Sequence, residues 1–358
     1  MKAVLMHSLE RFDSFLSTLR HYGIDPVVLS FDGQEWIDFD YSSVDFLIFY
    51  SSFAFSSHHP LALWRVYDNL EHIHRACPDL VIYPDPALIY FYNDKYRQHL
   101  FLKSRGFPIP ETVPLLSPSS VELAHERLGY PMVVKNRYGA GGGAVFLVRD
   151  RTELESYYRI SQLDFMHPGA LSYLFRMLKQ RMFYYNLLKE RKMTYPFLSP
   201  PLLAQKYITT DRDLKTVVGD GKVVEGHWRF QASRDQWKVN IDGGGIGRWS
   251  YIPSHALEVS ERLARELQAS WINLDLMPQG EGFLISEFSP VWHHYAFGEK
   301  STFVYDDDYN IDPPLSISLD LERIIVESLI NRPNTAGRTS PQRGGPTDIL
   351  THPLSTDT

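Results

Sequence analysis

A lysine that closes a short apolar run, then a cluster of glycines, then a second apolar run, constrains this chain more than any other feature. The run Pro131-Met132-Val133-Val134-Lys135 reads as a strand, Gly139-Ala140-Gly141-Gly142-Gly143 as a loop of unshielded backbone N–H groups, and 144–148 as a strand again. Such amides can converge on phosphate oxygens while the loop acts as a lid. A dinucleotide fingerprint needs a helix after its glycines, so that the helix N-terminus meets the pyrophosphate, and here a strand follows. A protein-kinase loop carries its lysine after the glycines, whereas Lys135 precedes them. Arg212-Asp213-Leu214-Lys215 has the look of a kinase catalytic loop, but Val218 stands where the asparagine is required, and no Asp-Phe-Gly follows. The order strand, lysine, glycine lid, strand remains, with an ordinary glycine-rich hairpin as the plainer alternative.

A chain of 358 residues has room for two or three such units. Lysine plus arginine is 36 against 43 acidic residues, a formal net charge of −7, so no basic excess draws the molecule onto nucleic acid. Hydrophobic residues at 44% and charged residues at 22% disfavour both wholesale disorder and membrane spanning. The single cysteine, Cys77, excludes an internal disulfide and a cysteine-rich zinc site. The N-terminus reaches His7 and Glu10 too early for the apolar stretch of a signal peptide, so a cytoplasmic protein is expected.

Residues 1–90 alternate short apolar runs (3–6, 26–31, 46–50, 80–83) with helix-like segments over 9–22 and 61–75, the pattern of an α/β unit with a parallel sheet. Helices are expected over 93–102, stopped by Gly106, and over 121–128. The stretch 160–198 combines an apolar helical stripe with a basic face, and fits a lid, a carrier or peptide docking surface, or an added packing helix. Strands dominate from 202 onward, with helices over 257–267 and 319–329, and 333–358 reads as a disordered tail. The implied units are 1–90, 91–204, 205–332 and the tail.

Two acids close the pattern. A hairpin over 271–288 centred on Glu281 puts Asp275 opposite Glu287, with Ser289 on the same face. Facing carboxylates repel unless a cation lies between them, and two carboxylate oxygens completed by phosphate are typical of Mg²⁺. The plainer alternative is one solvated acid and one salt-bridged acid. Between loop and pair, Lys215, Arg229 and Asn240 are polar residues in β-like surroundings, and the cations among them can stabilise a phosphoryl group or a carboxylate. Residues 203–208 read as a strand whose backbone could meet an adenine edge. His293 and His294 lie just beyond the acidic strand, where at most one can face a substrate.

Taken in order, these segments resemble the ATP-grasp superfamily, and within it the RimK-like and glutathione-synthetase-like carboxylate–amine ligases. The likeness runs from about Tyr83 to about Phe297. It is carried by Asn93-Asp94-Lys95, by Gly106-Phe107-Pro108-Ile109-Pro110-Glu111-Thr112, by Lys135 with the glycine loop, and by Gln205-Lys206-Tyr207-Ile208. Arg212-Asp213-Leu214-Lys215, the stretch 237–244, and Asp275 with Glu287-Phe288-Ser289-Pro290 complete it. The resemblance implies an α/β (α+β) ATP-grasp fold behind an N-terminal Rossmann-like pre-ATP-grasp domain that helps form the acceptor site. It implies ATP bound by Lys95, Lys135, Gly139, Gly141, Gly142 and Gly143, with adenine at Gln205, Lys206, Tyr207 and Ile208. Arg229, with Lys215 and Asn240, would steady the γ-phosphate and an acyl phosphate, and Asp275, Glu287 and Ser289 would hold Mg²⁺ or Mn²⁺. Ser289 stands where the family usually has asparagine. The implied reaction is amide or peptide bond formation from a small-molecule or peptide carboxylate and an amine, with release of ADP and phosphate. A small-molecule kinase and a non-catalytic ATP-binding regulator are the alternatives, and a homo-oligomer is left open.

Overall fold

The computed structural model describes residues 1–7, 11–50, 60–92, 94–138, 145–162, 172, 175, 198, 200–233, 237–239, 246–248, 252–291 and 321–331. The glycine loop at 139–143, Asn93, Asn240, His293, His294, nearly all of 160–198 and the tail at 333–358 lie outside the described residues.

Three sheets organise the described residues. The first is parallel, in the order β2-β1-β3-β4, from β1 (Ala3–Met6), β2 (Val27–Leu29), β3 (Phe46–Ile48) and β4 (Val81–Tyr83). The continuous apolar runs of β1 and β3 are buried throughout because helices cover the sheet. These include α1 (Phe12–His21) and α3 (Pro60–Ala76); the short α2 (Glu35–Asp38) and α4 (Pro86–Ile89) lie in the connections.

The second sheet is antiparallel, in the order β5-β8-β6-β7: β5 (Thr112–Leu115), β6 (Met132–Lys135), β7 (Val145–Val148) and β8 (Leu202–Lys206). It follows α5 (Lys95–Ser104), and α6 (Pro118–Leu128) and α7 (Arg151–Ser161) close its outer face. The period of two divides its residues. Val113, Leu115, Met132, Val134, Leu202 and Ala204 join the core with those helices, while Thr112, Lys135, Leu203 and Gln205 line a cleft on the other side.

The third sheet, also antiparallel, runs β11-β10-β9-β12-β13: β9 (Arg212–Gly219), β10 (Lys222–Phe230), β11 (Ile246–Arg248), β12 (Trp271–Gln279) and β13 (Gly282–Ser289). Helix α8 (Ser254–Glu266) covers one face, where Leu257 and Leu263 pack in one core with Leu214, Val218, Leu274 and Leu276. The closing helix α9 (Leu321–Ile330), which the sequence groups with the third unit, packs on the first: Leu321, Ile325, Val326 and Leu329 enter its core. Arg11 pairs with Glu322 at 2.6 Å, and the Tyr22 hydroxyl donates to Glu327. No helix among the described residues is long and apolar enough to cross a membrane.

Candidate active site

The face of the third sheet turned away from α8 carries polar side chains in three rows. Strand register places His227, Lys215, Asp275 and Glu287 in line across β10, β9, β12 and β13. Arg229 and Asp213 form the next row, and Glu225, Val217, Asn273 and Ser289 the row on the other side. Alternation along each strand brings together residues that are far apart in the sequence.

Asp275 stands opposite Glu287, but by a different route from a symmetric hairpin. The turn is Gly280-Glu281, with Gln279 paired to Gly282, and Leu276 pairs with Ile285. A bulge at Ser286 then skips one residue and restores the Asp275–Glu287 pairing; an unbulged ladder would put Glu287 opposite Leu274, facing α8. The bulge also brings Ser286 to the cleft, where its hydroxyl accepts from Lys135 Nζ at 3.2 Å.

Every charge on this face is met. Asp213 takes Arg229 in a two-pronged pair, Nε at 2.6 Å and Nη2 at 2.7 Å, and Arg229 reaches Asp275 at 3.1 Å. Lys215 Nζ donates to Asp275 at 2.7 Å and to the side-chain oxygen of Asn273 at 3.0 Å. Burial alone would raise the Asp275 carboxyl, but Arg229 and Lys215 override it and hold the group well below the usual carboxylate range. His227 Nδ1 lies 3.5 Å from the Glu225 carboxylate, both buried. The Ser289 hydroxyl is engaged with its own turn, donating to the Val291 carbonyl at 2.8 Å and accepting from the Val291 N–H at 3.2 Å.

The two lysines come from different elements. Lys95 opens α5, with Nζ 3.4 Å from Glu287, and Gln98 ties that helix to β13: its amide nitrogen donates to the Phe91 and Phe288 carbonyls and its oxygen accepts from Phe288 N–H. Lys135 ends β6. Lys95 and Lys135 line the same cleft between the second and third sheets, walled also by His99, Thr112, Leu203 and Gln205. Burial pushes Lys135 down to about 8, with Lys95 lowering it further and Glu287 opposing. Burial, then Lys103, pushes His99 down to about 4, leaving it neutral near pH 7.

Strand β8 ends at Lys206. It lies between β5 and β6, and Lys206 N–H donates to the Glu111 carbonyl at 2.8 Å, so its backbone is occupied by the sheet. Tyr207 and Ile208 follow directly beyond the strand. Gln205 faces the cleft and donates to the Thr112 hydroxyl at 3.0 Å, while Lys206 is exposed. Residue-type reasoning missed Asp213, Asn273, Gln98 and Ser286. The first two follow from the period of two once the strand pairing of Lys215 and Asp275 is known.

The paired carboxylates present hard oxygen donors about a quarter exposed, which fit a magnesium ion whose remaining ligands are phosphate oxygens and water. Among the described residues no group of three or more His, Cys, Asp or Glu side chains could hold a metal alone.

No family model matches the chain. Curated relatives align with just over half of it, among them the following two. The glutamate–LysW ligase ArgX of Sulfolobus acidocaldarius is 22% identical over 201 residues, covering 56% of this chain and 60% of that protein. The tetrahydromethanopterin:α-L-glutamate ligase of Methanosarcina acetivorans is 24% identical over 193 residues, covering 54% and 52%. The chain thus spans about half to three-fifths of the length of these relatives. Among solved structures, the D-cycloserine synthetase DcsG superposes with a TM-score of 0.56 at 16% identity, over 93% of this chain and 99% of that one. The ATP-grasp ligase PsnB, complexed with a phosphomimetic variant of its minimal precursor, Mg and ADP, gives 0.55 at 15% identity, over 92% and 97%. With a parallel N-terminal sheet and two antiparallel sheets facing across a lysine-lined cleft, the chain has the α/β ATP-grasp fold.

Proposed function

We propose that this chain is an ATP-dependent carboxylate–amine ligase. The observation that carries the reading is the convergence of Lys95 and Lys135 on one cleft, bordered by the Asp275–Glu287 pair and the Arg229–Lys215 face. A carboxylate oxygen attacks the γ-phosphorus of ATP, the bond to the bridging oxygen breaks, and ADP leaves. An amine nitrogen then attacks the acyl carbon, inorganic phosphate departs, and the proton lost by the amine passes to solvent. Lys95 and Lys135 neutralise phosphate oxygens at the cleft wall, and Arg229 and Lys215 supply positive charge where it builds on the transferred group. Asp213 and Asn273 fix those cations in place. Asp275 and Glu287 would hold magnesium, which would offset the charge on the phosphate oxygens. The names of both curated relatives specify glutamate, so glutamate is the first acid and the first amine to test.

The decisive experiment incubates the chain with Mg-ATP and a panel of amino acids, dipeptides and small acids, and follows ADP release with mass spectrometry of the products. An amide formed with stoichiometric ADP and phosphate is expected. A phosphorylated product without amide would assign a kinase instead, and nucleotide binding without turnover a regulator.

The pH dependence follows from Lys135. Its ammonium loses its proton in the free protein at about pH 8, so kcat/KM for ATP is expected to fall about tenfold per pH unit above that point. Bound phosphates stabilise the ammonium, so kcat should hold to higher pH. Initial rates across pH 6.5 to about 9.5 check this; coincident alkaline limbs for kcat and kcat/KM would remove Lys135 from the phosphate site.

A further inference from the structure

Asp94 lies directly before Lys95, is 0% exposed, and has a role beyond starting its helix. Capping α5 takes one contact, from Arg97 N–H to Oδ1 at 3.0 Å. The remaining capacity of the carboxylate goes mainly to Arg137, whose Nε donates to both oxygens at 3.1 and 3.0 Å and whose Nη2 donates to Oδ2 at 2.7 Å; Arg97 Nε adds a contact at 3.2 Å. Arg137 stands two residues after Lys135, at the root of the glycine loop. Its carbonyl accepts from Lys95 N–H at 2.9 Å, and Asp94 forms a β-bridge with Tyr138, the last described residue before the loop. Side chain and backbone therefore join the start of α5 to the end of β6 at the point where each presents a lysine.

We infer that Asp94 and Arg137 form a clamp that sets the spacing of Lys95 and Lys135, making Asp94 a positioning residue for the nucleotide phosphates. A helix cap alone would not need a buried carboxylate, since asparagine caps equally well. A fully buried charge held by a two-pronged guanidinium is costly to desolvate, and what it provides is a fixed geometry. The inference rests on the proposal that the cleft binds ATP.

Asp94→Asn separates the two roles, because it keeps the cap and removes the ion pair. Calorimetry on the full chain with ATP, without carboxylate or amine substrates, gives a readout independent of turnover, and a melting curve of each nucleotide-free variant reports its fold. Asp94→Asn and Arg137→Met are each expected to weaken ATP binding about tenfold. The double variant should be no weaker than about threefold below the poorer single, against the further tenfold or so that independent effects would give. Arg137→Lys, which keeps charge but not the two-pronged contact, should fall with Arg137→Met, and it carries the test if Asp94→Asn does not fold. ATP affinity within about twofold of wild type in folded Asp94→Asn or Arg137→Lys, or multiplying single effects, would overturn the clamp while leaving the proposed function intact. A wild-type chain that binds no ATP would overturn both.

Discussion

Replacing Asp213 with alanine is expected to lower folding stability by about 3–5 kcal/mol, read as a lower urea midpoint at unchanged slope. Arg229 is 7% exposed and Asp213 8%, so little water is available to replace the lost partner. Burial works against the guanidinium charge, but Asp275 and Asp213 keep it protonated, and the variant would leave that charge with a single contact to Asp275 at 3.1 Å. Breaking a buried pair costs far more than the pair contributes net, because the survivor stays desolvated. The double variant Asp213→Ala with Arg229→Met should therefore recover a large part of the loss in stability while remaining inactive. A cost below about 1 kcal/mol for Asp213→Ala would mean that water reaches Arg229 and that the face is open rather than packed.

Much of this architecture was legible because its signals are local. The buried strands of the first sheet are short uninterrupted apolar runs, and Lys135, which closes such a run, lines the cleft. The missed elements had weaker signals. Helix α7 begins at Asp150, whose side chain accepts from Glu153 N–H, and Asp-x-x-Glu is a start signal that lacked a clear apolar stripe to follow it. Helix α6 begins earlier than its apolar spacing suggests, because Ser117 and Ser120 cap each other reciprocally with a serine where glutamate is usual. The β13 bulge cannot be read from residue types, yet it decides which face Glu287 occupies. Symmetry about Glu281 reached the same pairing only because the offset of the turn and the bulge cancel. Asp213 illustrates a second limit. It stands one residue from the apolar Leu214 and looks like a solvated strand end, until pairing with Arg229 across the ladder gives it a buried partner. Asp94 is similar, an evident helix cap whose stronger partner lies 43 residues away.

Lys135→Met and Glu287→Gln should both disable the ATP-dependent reaction, but with different signatures. Around the cleft, Lys95, Lys135, Lys215 and Arg229 have Asp213, Asp275 and Glu287 as close carboxylate partners. Lys135→Met removes the charge proposed to meet the nucleotide, and kcat/KM for ATP is expected to fall about 10²–10³-fold, with affinity lost whether or not magnesium is present. Glu287→Gln removes the carboxylate proposed as a magnesium ligand and also frees Lys95 from its 3.4 Å ion pair. Nucleotide binding without magnesium should then hold or improve, while the magnesium needed for half-maximal rate rises. The same variant removes the charge that supports the Lys135 ammonium, so the alkaline limb of kcat/KM should move below about pH 8. Magnesium titrations and pH profiles of the two variants separate these effects. If Glu287→Gln leaves the magnesium requirement unchanged, the carboxylate pair does not hold the metal, and Asp275 is confined to its role between Lys215 and Arg229. If Lys135→Met also binds and turns over ATP like the wild type, the triphosphate does not lie in this cleft and the ligase reading fails with it.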